Sequence, residues 1–164
     1  MRRMPAFVTS RLDYCNALLY GIPQTLMGKV QRVLHIAARV VTRTSPRDHI
    51  TPVLKDLHWL PISQRCIYKI LLITYKALHG LAPAYISELL TPRQRSGMRM
   101  RSDEALVLIV PPNPRLPSYG DRAFYIAAPV LWNSLPKFIR LAKTLGEFKA
   151  RLKTYLFRQA YQFE

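Results

Sequence analysis

Residues 24–43, QTLMGKVQRVLHIAARVVTR, decide the fold class. Leu26, Val30, Val33, Ala37, Val40 and Val41 recur at three- and four-residue spacing and predict one apolar stripe of an amphipathic helix. Lys29, Arg32, Arg39 and Arg43 keep the same rhythm on another face, with Ile36 filling the gap. Four cations along about 20 Å of helix match the run of a phosphate backbone, or form a solvated face of the ordinary kind.

Working outward, the same helical logic covers most of the chain. Upstream, PAFVTSRLDYCNALLY (5–20) predicts a helix closed by Gly21 and Pro23, with Pro5 in its first turn and Phe7, Leu12, Leu18 and Leu19 loosely periodic. It opens with no capping segment of its own, as though sequence upstream were removed. Downstream, 46–61 has prolines at both ends and a short helix between, with Thr51 as cap and Pro52 in the first turn. Pro61 then leads into ISQRCIYKILLITYKALH (62–79). This helix is apolar nearly all round, with Arg65, Lys69, Lys76 and His79 in one polar seam, so it is the expected centre of the core. Gly80 is its expected C-terminal cap, and a brief helix at 83–90 follows.

The second half is more mixed. TPRQRSGMRMRSDE (91–104) crowds Arg93, Arg95, Arg99 and Arg101 among Ser and Gly, which predicts a mobile linker or a basic loop that orders on nucleic acid. LVLIV (106–110) reads as the one strand, with 116–119 as a hairpin partner across Asn113-Pro114. After a turn at 119–121, a short helix at 122–134 is expected to be interrupted by Pro129, and a turn follows at 137–141. The last helix, 145–162, starts at a Thr144/Glu147 capping box and turns Leu145, Phe148, Leu152, Tyr155 and Leu156 inward, with Lys149, Arg151, Lys153 and Arg158 outward. The expected fold class is therefore mainly α, with a helical bundle-like first half and a small α+β second half holding one short strand or hairpin. The expected domains are 1–90, a linker at 91–104, and 105–164.

Composition bounds the function. The 164 residues are 49% hydrophobic, enough for one domain or two small ones, and carry 25 Lys+Arg against 9 Asp+Glu for a net charge of +16. Residues 1–90 hold 12 basic and 4 acidic side chains and 91–164 hold 13 and 5, so each half carries +8. Arg outnumbers Lys by 17 to 8, which suits phosphate, whose geometry a guanidinium fork matches better than an ammonium. RNA or DNA backbone is the expected partner. Cys15 and Cys66 form no disulfide framework or metal pattern, so a reducing compartment, nuclear or cytoplasmic, is expected. Arg11 and Asp13 interrupt the start before it reaches signal-peptide length, and no apolar run approaches the ~20 residues of a membrane span.

Chemistry is thin. A polymerase or nuclease gathers two or three carboxylates around paired cations. Here the acidic residues are scattered, and the adjacent pair Asp103-Glu104 sits in the Arg-rich segment with no preceding strand. His35, His49, His58 and His79 have no Cys or carboxylate at ligand spacing, and the six glycines form no phosphate-cradling loop. Trp59 and Trp132 could stack on bases, but each lies among Leu and Pro and is expected in the core. No catalytic or metal residue, no cofactor and no small-molecule substrate is expected.

Six blocks carry a resemblance: VTSRLDYCNALLYGIP (8–23), QRVLHIAARVVTR (31–43), DHITPVLKDLHWLPISQR (48–65), ILLITYKALHGLAPAYISELL (70–90), SYGDRAFYIAAPVLWNSLP (118–136) and FKARLKTYLFRQAY (148–161). In this order they resemble the C-terminal end of the reverse-transcriptase polyprotein of non-LTR retrotransposons (LINEs), the chicken-repeat and jockey-like group above all. The resemblance implies a thumb-like helical region over 1–90 and a C-terminal extension beyond it, following a palm whose paired aspartates lie upstream. It implies no catalytic residue here, and a general grip on element RNA and target DNA during target-primed reverse transcription. A polymerase palm of a parent element is a further implied partner. Met1 falls inside a family block, which implies a truncated copy.

Overall fold

The structure, a computed structural model, describes residues 10–93, 107–112 and 122–161. It is mainly helical: after a 3-10 turn at Asn16–Leu19 come α1 (Gln24–Thr42), α2 (Ile50–Asp56), α3 (Ile62–Leu78), α4 (Ala84–Ser87), α5 (Phe124–Ser134), α6 (Lys137–Arg140) and α7 (Leu145–Tyr161). The chain divides into two compact units, residues 1–67 with 155–164, and residues 68–154.

In the first unit the core gathers Leu34, Ala38, Leu54, Ile62 and Cys66, with Leu12, Met27, Val30, Val53 and Trp59 among the side chains packed on it. The long helix expected over 5–20 is not continuous. Residues 10–13 are helical, the chain turns at 14–15, and Cys15 takes a left-handed conformation (φ 51°) before the 3-10 turn. The loose periodicity of Leu12, Leu18 and Leu19 is the sequence trace of that break. Asp13 is held by the Arg65 guanidinium, with Nη1 donating to both carboxylate oxygens at 2.9 and 3.0 Å, while Arg65 Nε donates to the Leu60 carbonyl.

α1 and α3 form close to where their periodicity predicts them. α2 begins two residues earlier than expected: His49 occupies the cap position and makes no side-chain cap bond, so Thr51 and Pro52 lie inside the first turn. Pro52 is still free of cost there, because first-turn N–H groups have no intrahelical acceptor. The ends of these helices share one device. At α3 the expected cap Gly80 sits at φ 69°, with Leu81 N–H reaching the Lys76 carbonyl (2.8 Å) and Gly80 N–H the Ala77 carbonyl (3.5 Å), a Schellman motif. α2 closes the same way with His58 at φ 53°, while α1 ends at Arg43 (φ 57°) with the N–H groups of Arg43 and Thr44 both reaching the Arg39 carbonyl. Neither is glycine, so neither was legible as a cap.

In the second unit the core is aromatic at its centre. Tyr75 stacks on Phe148 at 4.3 Å between ring centroids, and Trp132 lies 5.8 Å from Phe148. All three are buried, and the Tyr75 hydroxyl donates to the Ala142 carbonyl. Trp132 is thus a core residue, as expected; Trp59 is half-buried against the first unit's core. The expected capping box forms at α7, where Glu147 N–H donates to Thr144 Oγ1 at 3.2 Å. The Glu147 carboxylate reaches back to the Lys143 N–H, one residue before the usual target.

Four expectations for this unit change. Pro129 does not interrupt its helix: α5 runs through it, and Pro129 is buried in the core. One missing N–H, toward the Tyr125 carbonyl, is a tolerable loss in a helix whose inward face is otherwise apolar. Residues 137–140 form a helical turn and not an open one, and the helix expected at 83–90 shortens to Ala84–Ser87. The strand expected at 106–110 is absent among the described residues. What exists is one antiparallel bridge, Pro92 with Leu108, flanked by Arg93 N–H to the Val107 carbonyl and Ile109 N–H to the Thr91 carbonyl. Across the other edge the Asn133 carboxamide accepts from the Leu108 N–H (3.0 Å) and donates to its carbonyl (2.8 Å). One side chain thereby takes both backbone groups that a further strand would use. Residues 116–119, the expected hairpin partner, lie outside the described residues, as do 94–104 of the expected linker.

Candidate nucleic-acid interface

α1 carries the first candidate set. Its inward side is Met27, Val30, Leu34, Ala37, Ala38 and Val41, a stripe rotated from the one the spacing predicts. Val30, Ala37 and Val41 are common to both. Leu26, Val33 and Val40 instead lie on the outer side, 47%, 49% and 59% exposed, beside Ile36 at 63%. The helix is apolar over an arc wider than one contact can bury, and periodicity alone cannot say which edge of a wide arc faces inward.

The four cations do not share one fate. Lys29, Arg32 and Arg43 are exposed, and their side chains make no ion pair or hydrogen bond among the described residues. Arg39 is half-buried and occupied: its Nη1 donates to the Ser45 carbonyl and its Nη2 to the Asp48 carbonyl at 2.8 Å. Its own carbonyl accepts the N–H groups of Arg43 and Thr44. Arg39 is therefore a clasp that folds residues 43–48 back toward α2, and three of the four remain exposed. Because Arg39 shares the spacing of the others, nothing in the sequence distinguishes it. Of the second set, Arg93 is exposed and its N–H is spent on Val107; Arg95, Arg99 and Arg101 lie outside the described residues.

One flank of α1 carries a polar relay. Gln31 Oε1 accepts the Ile62 N–H at 2.8 Å, which orients its amide nitrogen toward His35 Nε2 at 2.7 Å. His35 Nε2 must then accept, so the ring is neutral with its proton on Nδ1. Burial, and secondarily the Arg39 charge, hold its pKa below the ordinary histidine value.

Elsewhere the titratable groups are structural. Burial pushes the Cys66 thiol up to about 11, so it is a packed, unreactive side chain. Burial likewise pushes Tyr161 up to about 12 as its hydroxyl donates to the Trp59 carbonyl. Glu147 pairs with Arg151, whose Nη1 also donates to the Phe138 carbonyl. Among the described residues no group of three His, Cys, Asp or Glu side chains is placed to hold a metal ion, and no helix is long and apolar enough to cross a membrane. Lys149, Lys153 and Arg158 on α7 are exposed, as their outward placement in the sequence predicts. What the sequence reading missed is the aliphatic row on the same face as Lys29, Arg32 and Arg43; its signal was present, as the excess width of the apolar arc. Comparison with known proteins returned no matching family model, no matching curated protein and no matching solved structure.

Proposed function

We propose that the chain is a non-catalytic remnant of a retrotransposon reverse transcriptase that grips RNA or DNA by its backbone with little regard to sequence. The observation that carries this reading is the exposed trio Lys29, Arg32 and Arg43, without counter-ions among the described residues, on a chain of net charge +16. Guanidinium and ammonium groups so placed exchange condensed counterions of a polyanion for protein charge, and affinity then falls steeply with salt. The six sequence blocks supply the origin, a thumb and C-terminal segment, and with it a nuclear or cytoplasmic setting. The family's palm aspartates have no counterpart in this sequence, so the chain itself performs no polymerisation.

The test is the affinity for single-stranded RNA between about 50 and 200 mM salt. A steep fall is expected, and Lys29→Gln, Arg32→Gln and Arg43→Gln together should flatten the log–log slope by about 2, at roughly 0.7 per lost phosphate contact. A salt-independent affinity refutes the reading. Primer extension with Mg²⁺ should give no product, and any product overturns it.

A second reading is favoured by the exposed Leu26, Val33, Ile36 and Val40, which have no use for a phosphate: the segment docks on another protein, as a subdomain would on a polymerase palm.

A further inference from the structure

The outer face of α1 has a register that its charges alone do not explain. Leu26, Lys29, Val33, Ile36, Val40 and Arg43 follow one another at alternating steps of three and four residues, the spacing of the two core positions of a coiled-coil heptad. All six are exposed; the five from Leu26 to Val40 run about 21 Å along α1, and Arg43 follows at its C-terminal cap. Arg32 flanks it at a position that lies beside a partner helix in such packing. The opposite side of α1, with Leu34 and Ala38, is the one committed to the core.

We infer that this seam docks an acidic amphipathic helix of a partner protein, packed along α1 with aliphatic side chains against Val33, Ile36 and Val40 and carboxylates against Lys29, Arg32 and Arg43. The inference rests on the docking reading and is independent of the nucleic-acid one. Three features select this occupant. Val33, Ile36 and Val40 lie between Lys29 and Arg43, with Leu26 beyond Lys29, so a partner must offer an apolar stretch bracketed by acidic residues and an acidic margin; a nucleic-acid backbone has no apolar stretch. A membrane surface is disfavoured because Lys29 lies in the row itself, where insertion would bury it, and because no aromatic side chain lies in the row to anchor at an interface. A second copy of this chain would bring cations onto cations across an antiparallel seam, or the same cations together across a parallel one.

The probe is a labelled 21-residue synthetic helix with Leu at its central heptad core positions and Glu at the outer core positions that face Lys29 and Arg43 and at the flanking ones, beside a peptide of the same composition in scrambled order. Binding to the full chain is read by fluorescence anisotropy, with anionic phosphatidylserine vesicles and single-stranded RNA as separate ligands. The heptad peptide should bind and the scrambled one should not. Ile36→Ser with Val40→Ser should weaken the peptide roughly tenfold or more, since aliphatic side chains buried at a seam are each worth about that factor. The same change should leave RNA affinity within about twofold. Lys29→Glu with Arg32→Glu should abolish binding of the Glu peptide and restore it for a Lys-flanked version, a rescue that a misfolded variant cannot give. Equal binding of heptad and scrambled peptides, no effect of the Ser pair, or vesicle binding that depends on Ile36 and Val40 in place of peptide binding each overturns the inference. Loss of RNA binding alone refutes only the nucleic-acid reading, and loss of peptide binding alone only this one.

Discussion

Asn133 shows how much one side chain carries. Its carboxamide offers a donor and an acceptor at nearly the spacing of a peptide group, and it meets both backbone groups of Leu108. Asn133→Ala should cost about 2 kcal/mol, because a partly buried N–H and C=O lose their partners together. Asn133→Asp should recover only the part due to the N–H, since a carboxylate cannot donate to the carbonyl. Urea unfolding of the three proteins checks the order. His35 is a second such residue. Its folded pKa lies below that of an unfolded chain's histidine, about 6.5, so below that pH the unfolded state binds more protons. Its contribution is fully present above about pH 6.5 and is lost as the pH falls from there through the folded pKa. The urea midpoint should therefore drop between about pH 7.5 and pH 5.5, and His35→Gln, which keeps an acceptor for Gln31, should flatten that drop. An unchanged pH response in the variant would assign the effect elsewhere.

At the scale of elements, helix ends decide where the chain turns. Gly80 stands at φ 69° in a motif that closes α3, whereas Gly28 stands within α1 with open space where a Cβ would go. Substitution by Ala should therefore have opposite signs. Gly80→Ala should lose about 1 kcal/mol to left-handed strain. Gly28→Ala should gain up to about 1 kcal/mol from helix propensity. Thermal or urea denaturation reads both, and matching signs would contradict the geometry. Arg43 and His58 hold positions of the Gly80 kind without being glycine. In α1 the left-handed turn is supported by Arg39, whose carbonyl and guanidinium together bind the four residues that follow the turn or make it. This is why a cation that shares the spacing of Lys29, Arg32 and Arg43 belongs to the fold.

At the scale of the molecule, charge and apolar surface pull on the same helix. With a net charge of +16, raising salt should weaken RNA binding in the manner proposed above. The aliphatic row of α1 is insensitive to that screening, so a ligand that uses it should retain affinity at salt concentrations where RNA has dissociated. Measuring both ligands across one salt series separates the two grips on a single preparation, and parallel loss of both would indicate that charge alone holds either.

The sequence by itself determined that the chain is mainly helical, where α1, α3 and α7 run, that Gly80 and the Thr144/Glu147 pair mark helix ends, and that Trp132 is core. Each of these is written in local chemistry: period, cap or turn residue within a few positions. Only the tertiary structure decided which edge of the broad apolar arc of α1 faces inward, that Arg39 is a clasp, that Pro129 is carried within a helix, and that Leu108 meets Pro92 and Asn133. Those outcomes depend on partners from 6 to 31 residues away competing for the same backbone groups and the same apolar surface. The apolar arc of α1 supplies the core with one of its edges and, with the other, the face that carries Lys29, Arg32 and Arg43.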